Sequence, residues 1–290
     1  MAENANKTVL ELSNIRKTYT SKQKVKTLAL DGVNISLYEG EVLGIVGESG
    51  SGKTTVGRIM TGILTPDEGR VSLFDTDVTD LKPKKRADEF FHCRMVYQIP
   101  QEAFDDKHTI GDGIRDDLKK IKVPGKNLNS KAVELLDVCG LPQEYLEHYP
   151  FEMSGGQSVR ACIARAIAVE PEILVCDEVT RALDSTEQKN ILRLLFTIKN
   201  VYRLSMVFIS HDLSLVSHFC DRVVVMDKGK VVEVSDAKDI MENPKSEHTK
   251  TLIEHTMLVH SENSVIGARG FARAASQAKR DAERKAHSEI

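Results

Sequence analysis

Between positions 8 and 47, apolar and polar residues alternate in short runs broken by turn signals, as in "TVLELSNI" and "TLALDGVNISLYEGEVLGIVG". A period of two predicts antiparallel strands, and these lead to one strand that is apolar throughout, Val42 to Val46. The spacing lengthens to three and four in "TTVGRIMTGIL", a predicted helix ended by Pro66 and Gly69. Strand texture returns over 70–98, around a charged stretch, "LKPKKRADEF", that reads as helix or loop. From about 99 to 170 the pattern is mainly helical, with "KAVELLDVCGL" and "SVRACIARAIAVE" as its clearest pieces. Two apolar runs follow, "EILVC" (172–176) and "SMVFIS" (205–210), separated by the amphipathic "TEQKNILRLLFTIKN". Strand–helix–strand in this order is a βαβ unit, so the expected fold class is α/β, with ligands at the strands' C-terminal ends. "DRVVVMDKGKVVEV" predicts a hairpin turning at Lys228–Gly229. Beyond about 235 the chain turns polar, and Phe271, Ala275, Ala278, Ala282 and Ala286 form a thin stripe at helical spacing. That stripe suits a frayed, solvated helix, with a partner-docking helix as the alternative.

The chemistry enters where the apolar strand stops. "GESGSGKT", Gly47 to Thr54, fits G-x-x-x-x-G-K-[ST], and it lies between a buried strand and a helix as that motif requires. Gly47, Gly50 and Gly52 let the backbone wrap phosphates; Ser49, Ser51 and the following Thr55 are counted with the cradle. Lys53 is placed to neutralise the β- and γ-phosphates, and Thr54 to put its hydroxyl on Mg²⁺. The chain is therefore expected to bind a nucleoside triphosphate.

"EILVCDE" ends a buried strand in two acids. Asp177 suits the magnesium shell, and Glu178, pointing elsewhere, suits orienting or deprotonating water. Gln98 closes the apolar "RMVYQ" and could reach metal or water, although a lone glutamine at a strand end is usually a surface amide. His211, in "VFISHD", is either structural or a donor to the γ-phosphate. "FEMSGGQSVR" places adjacent glycines at a helix entrance, a second anion site about a hundred residues after the first.

Composition narrows the context. With 41% hydrophobic and 29% charged residues, the chain reads as an ordinary globular protein, and its net charge of −3 gives no electrostatic footprint for nucleic acid. No apolar run is long enough to span a bilayer, and "MAENANKTVLEL" lacks signal-peptide character, so a cytoplasmic location is expected, with any membrane contact made through a partner. Cys93, Cys139, Cys162, Cys176 and Cys220 form no C-x-x-C pair and read as buried thiols.

Taken in order, "GESGSGKT", "VYQ", "MSGGQ", "ILVCDE", "RALD" and "ISHD" resemble the ATP-binding cassette (ABC) ATPases over about residues 8–260. The resemblance implies an antiparallel β-subdomain, a RecA-like parallel core and a helical subdomain at about 99–170. The ATPase domain would span 8–235, followed by a 236–290 extension. It implies that Ser154, Gly155, Gly156 and Gln157 complete the ATP site of a second cassette, identical or different, in a head-to-tail dimer. Tyr19 matches the adenine-stacking aromatic, Gln98 the glutamine that reaches metal and water, Asp184 the aspartate contacting across the dimer, and His211 the switch histidine.

"DGVNISLYEGEVLGIVGESGSGKTT", "YPFEMSGGQ" and "ENPKSEHTKTLIEH" are similar to the peptide/nickel-type importer ATPases. That similarity implies ATP and Mg²⁺ as cofactors, a transmembrane permease and any solute-binding protein as partners, and a peripheral place on the cytoplasmic membrane face. A soluble cassette that remodels an enzyme complex, as in carbon–phosphorus lyase systems, stays open as the alternative. Departures are Val179 for the family's proline, Arg181 for a small residue, Met153 for leucine, and "IPQEAFDD" after Gln98.

Overall fold

The computed structural model describes residues 7–97 and 103–254. Two sheets carry the fold. β1 (Thr8–Thr20) and β2 (Lys26–Tyr38) form a long antiparallel pair that continues through β4 (Glu68–Leu73) and the short β5 (Thr76–Asp77), in the order β2-β1-β4-β5. The second sheet runs β10-β9-β3-β8-β7-β6. It comprises β3 (Val42–Val46), β6 (Cys93–Val96), β7 (Ile173–Asp177), β8 (Ser205–Ser210), β9 (Arg222–Asp227) and β10 (Lys230–Asp236). All of its pairings are parallel except β9 with β10, which closes at Lys228 and Gly229. Both of those turn residues have positive φ, as a two-residue turn matching strand twist requires.

The period of two in the central strands explains why they are apolar throughout. Leu43 and Ile45 of β3, Val175 of β7 and Val207 of β8 join a core shared with β1, β2 and β4. Their neighbours Val42, Val46, Cys176 and Phe208 join a second core on the opposite face. A strand buried on both sides has no polar face to show.

The helices are α1 (Lys53–Met60), α2 (Pro83–Glu89), α3 (Ile110–Lys120), α4 (Leu128–Val138), α5 (Gly155–Ile167), α6 (Ser185–Tyr202) and α7 (Leu213–Phe219). α1 stops earlier than its apolar spacing predicts: Thr61 turns its hydroxyl back to the Gly57 carbonyl at 2.9 Å, and Gly62 has φ 69. The stop precedes Pro66, because a left-handed glycine ends a helix as effectively as proline.

α3 was not signalled by apolar spacing, yet a reciprocal cap between Thr109 and Asp112 opens it. It joins the sheet through Asp117, which Arg165 Nε of α5 reaches at 2.9 Å and Arg94 of β6 at 3.4 Å. Packing continues past 235: Ala237, Ile240 and Ile253 enter the second core, and buried Thr249 donates to Glu233 Oε2 at 2.6 Å. The alanine stripe at 268–289 lies outside the described residues.

Candidate functional site: a phosphate cradle and a separate glycine pair

Three neighbouring strands, β3, β8 and β7, end side by side, Val46 paired with Ser210 and Ile209 with Asp177. The chain leaves them into the 47–52 loop, His211 and Glu178, so residues more than a hundred positions apart converge at one sheet edge.

The loop is held from below by the β9–β10 turn, where Gly229 N–H donates to the Ser51 carbonyl at 3.0 Å. Gly47 has φ 153, and a Cβ there would stand 2.2 Å from the Met226 carbonyl oxygen. Gly50 and Gly52 also have positive φ, while Ser49 lies exposed on the rim. Lys53 is buried and donates to the Gly47 and Glu48 carbonyls at 2.7 and 2.8 Å. An ammonium has three donors, so one N–H is left to face the cradle. Burial holds the Lys53 pKa below its ordinary value, against the opposing pull of Glu178 and Asp177. Ser51 Oγ is buried without a hydrogen-bond partner. A buried cation with a spare donor, an orphaned hydroxyl and a backbone curve that excludes Cβ together fit a phosphate group.

Thr54 Oγ1 donates to Asp177 Oδ1 at 3.2 Å. Burial pushes the Asp177 carboxyl above its usual range, with the Thr54 bond pulling the other way. Glu178 shares its Oε2 between His211 Nδ1 at 3.6 Å and Arg181 Nη1 at 2.9 Å, and Lys53 Nζ stands 3.8 Å from Oε1. His211 above all holds the Glu178 carboxyl below its usual range; burial opposes that shift, and the charges of Lys53 and Arg181 add to it. Glu178 itself has φ 46, backbone strain that a side chain accepts only where surroundings impose it. The Tyr19 hydroxyl lies 3.4 Å from Thr55 Oγ1, which sets its partly exposed ring beside the loop. Gln98 lies outside the described residues.

The glycine pair is arranged differently. Ser154 caps α5: its N–H donates to Gln157 Oε1 at 2.9 Å, and Gln157 Nε2 donates to the Tyr145 hydroxyl at 2.8 Å. Ser154 and Gly155 are exposed, whereas Gly156 is buried against α6, where a Cβ would come within 2.5 Å of Glu187 Oε1. Asp184 caps α6 through the N–H groups of Thr186 and Glu187, both at 2.9 Å. Among the described residues, no hydrogen bond or ion pair joins Ser154–Gln157 or Asp184 to the phosphate loop.

Within one chain, then, the cradle and the glycine pair are two separate features. The ABC transporter family model matches residues 30–181, and relatives at 36% identity align over most of the chain. The chain belongs to the ABC transporter family. One such relative is the oligopeptide transport ATP-binding protein OppF of Streptococcus mutans, 36% identical over 87% of this chain and 82% of its own length. Another is OppF of Lactococcus lactis, 36% identical over 82% of this chain and 75% of its own length. Among solved structures, a dimeric bacterial ABC transporter cassette superposes with TM-score 0.71 at 29% identity, covering 79% of this chain and 98% of that one. The same cassette in a dimeric post-hydrolysis state bound to ADP and Pi superposes equally well, with TM-score 0.71. This chain is accordingly an ATP-binding, ATP-hydrolysing subunit of an ABC transporter.

Sequence reasoning noted Arg181 as a departure from the family pattern but missed its hydrogen bond to Glu178. The i, i+3 spacing within a tight turn was the available signal. The unpartnered Ser51 hydroxyl and the Tyr145 support of Gln157 had no sequence signal, because both depend on burial and long-range packing.

Proposed function

We propose that this chain powers uptake of oligopeptides or a similar small solute through a separate permease, working in a two-cassette dimer on the inner membrane face. Its similarity to oligopeptide transport ATP-binding proteins supports the solute class. No helix among the described residues is long and apolar enough to cross a membrane, so a separate spanning partner suits the reading. None of the relatives named above favours the enzyme-remodelling alternative.

The observation that carries the chemistry is the convergence of Lys53, Thr54, Asp177, Glu178 and His211 at adjoining strand ends. Lys53 and the loop amides bind the β- and γ-phosphates. Thr54 and Asp177, joined at 3.2 Å, are the residues that would hold Mg²⁺, which would supply positive charge to offset that on the transferring phosphoryl group. Glu178 takes the proton of the attacking water, and His211 orients Glu178 and the γ-phosphate. Gln98 reports on metal and water to the permease contact, and Tyr19 stacks on adenine. Ser154, Gly155, Gly156 and Gln157, with Asp184, act on the nucleotide held by the partner cassette, so closure of the dimer assembles each site.

Cells lacking this chain should lose uptake of labelled oligopeptides and regain it with the wild-type chain but not with a turnover-dead one. Unchanged uptake would overturn the solute assignment. Recovery of the chain only in a soluble complex would overturn transport itself.

A further inference from the structure

The Glu178 carboxylate is only 8% exposed, yet three basic side chains surround it. Of these contacts, only that from Arg181 is at hydrogen-bonding distance, 2.9 Å from Nη1 to Oε2. The turn that delivers it is closed: Arg181 N–H donates to the Glu178 carbonyl at 3.1 Å, bringing the guanidinium back over the side chain three residues earlier. The turn is pinned in place from α6, where Gln188 Nε2 donates to the Thr180 carbonyl at 3.0 Å. The Arg181 side chain itself is half exposed, so solvent can take up its guanidinium if the bond to Glu178 opens.

A carboxylate acting as a base must offer a lone pair to water. A guanidinium bonded to Oε2 takes one of that oxygen's lone pairs and fixes the direction in which the carboxylate points, away from where an attacking water needs it. We propose that Arg181 is a positioning residue that clamps the Glu178 carboxylate in the nucleotide-free cassette, and that this contact opens before hydrolysis. The proposal rests on Glu178 being the general base.

A bound triphosphate brings several negative charges to the same cluster and competes with Glu178 for its basic partners. In the hydrolytic step the water oxygen bonds to the γ-phosphorus, and the bond from the γ-phosphorus to the β–γ bridging oxygen breaks. ADP leaves with that electron pair, and the water proton passes to the Oε2 that Arg181 has vacated. Nothing beyond ATP and water is consumed.

The test is steady-state ATP hydrolysis by the full chain, with Mg²⁺, across an ATP titration. Arg181→Ser should raise kcat about two- to tenfold, the range for one partly exposed charge-assisted bond, with KM unchanged. Arg181→Lys, which keeps the charge but not the planar fork, should fall between the serine variant and wild type. A kcat equal to or below wild type overturns the clamp, and so does a rise in KM, since Arg181 would then be holding nucleotide. Glu178→Gln should bind ATP without turning it over, and adding Arg181→Ser to it should recover nothing. Wild-type turnover by Glu178→Gln would remove the base assignment itself, a failure distinct from that of the clamp. Activity gained by the double variant would mean that Arg181 acts through some other group, and would also overturn the proposal.

Discussion

Two glycine-bearing helix entrances, the phosphate loop before α1 and the "SGGQ" stretch before α5, have similar local chemistry and opposite settings. The first is walled by its own chain: Met226 and the Gly229 turn lie against it, Lys53 is buried in it, and Ser51 Oγ is buried there without a partner. The second turns Ser154 and Gly155 to solvent, and its polar groups are spent on capping its own helix. Both helix starts have a dipole favourable to anions, but only the first is walled by its own chain. What separates the two entrances is the tertiary wall around the first, and the glycines alone do not encode that wall.

The same substitution in the two places sharpens the contrast. Gly47→Ala puts a Cβ 2.2 Å from a backbone carbonyl at φ 153, where neither neighbour nor backbone can yield cheaply. It should cost more than about 2 kcal/mol of stability and abolish ATP binding, read by denaturant unfolding and nucleotide titration. Gly156→Ala meets the Glu187 side chain, Oε1 at 2.5 Å and Cγ at 2.7 Å, a flexible neighbour held by Arg160 at 3.3 Å and able to swing aside where a backbone carbonyl cannot. Helix propensity gains about 1 kcal/mol from the change, so stability should stay within about 1 kcal/mol of wild type. ATP binding should persist while hydrolysis falls, because the surface offered to the partner changes shape. Equal losses of stability at both glycines would erase the distinction between a walled site and an open one.

Much of this was legible in the sequence for a local reason. The phosphate loop, the Asp177–Glu178 pair and the β7–α6–β8 unit are written in contiguous residues whose spacing maps directly onto geometry. α3 was not legible, because the glycines and the many charged residues in "IGDGIRDDLKK" hide its buried stripe of Ile110, Ile114 and Leu118. The early stop of α1 falls at Gly62, whose left-handed backbone, set against the Phe90 ring, interrupts apolar spacing that runs on past it. The Arg181–Glu178 bond was hidden for a different reason: the residues are close in sequence, but the side-chain direction follows from the left-handed backbone at Glu178.

The central claim is that Ser154 serves a nucleotide this chain does not hold, and Ser154→Arg tests it most directly. ATP affinity of the variant, measured by fluorescence titration at dilutions that keep the chain monomeric, should match wild type. Hydrolysis at concentrations that allow pairing should be lost. Loss of ATP affinity in the dilute monomer would place the glycine pair at the chain's own nucleotide and contradict the account.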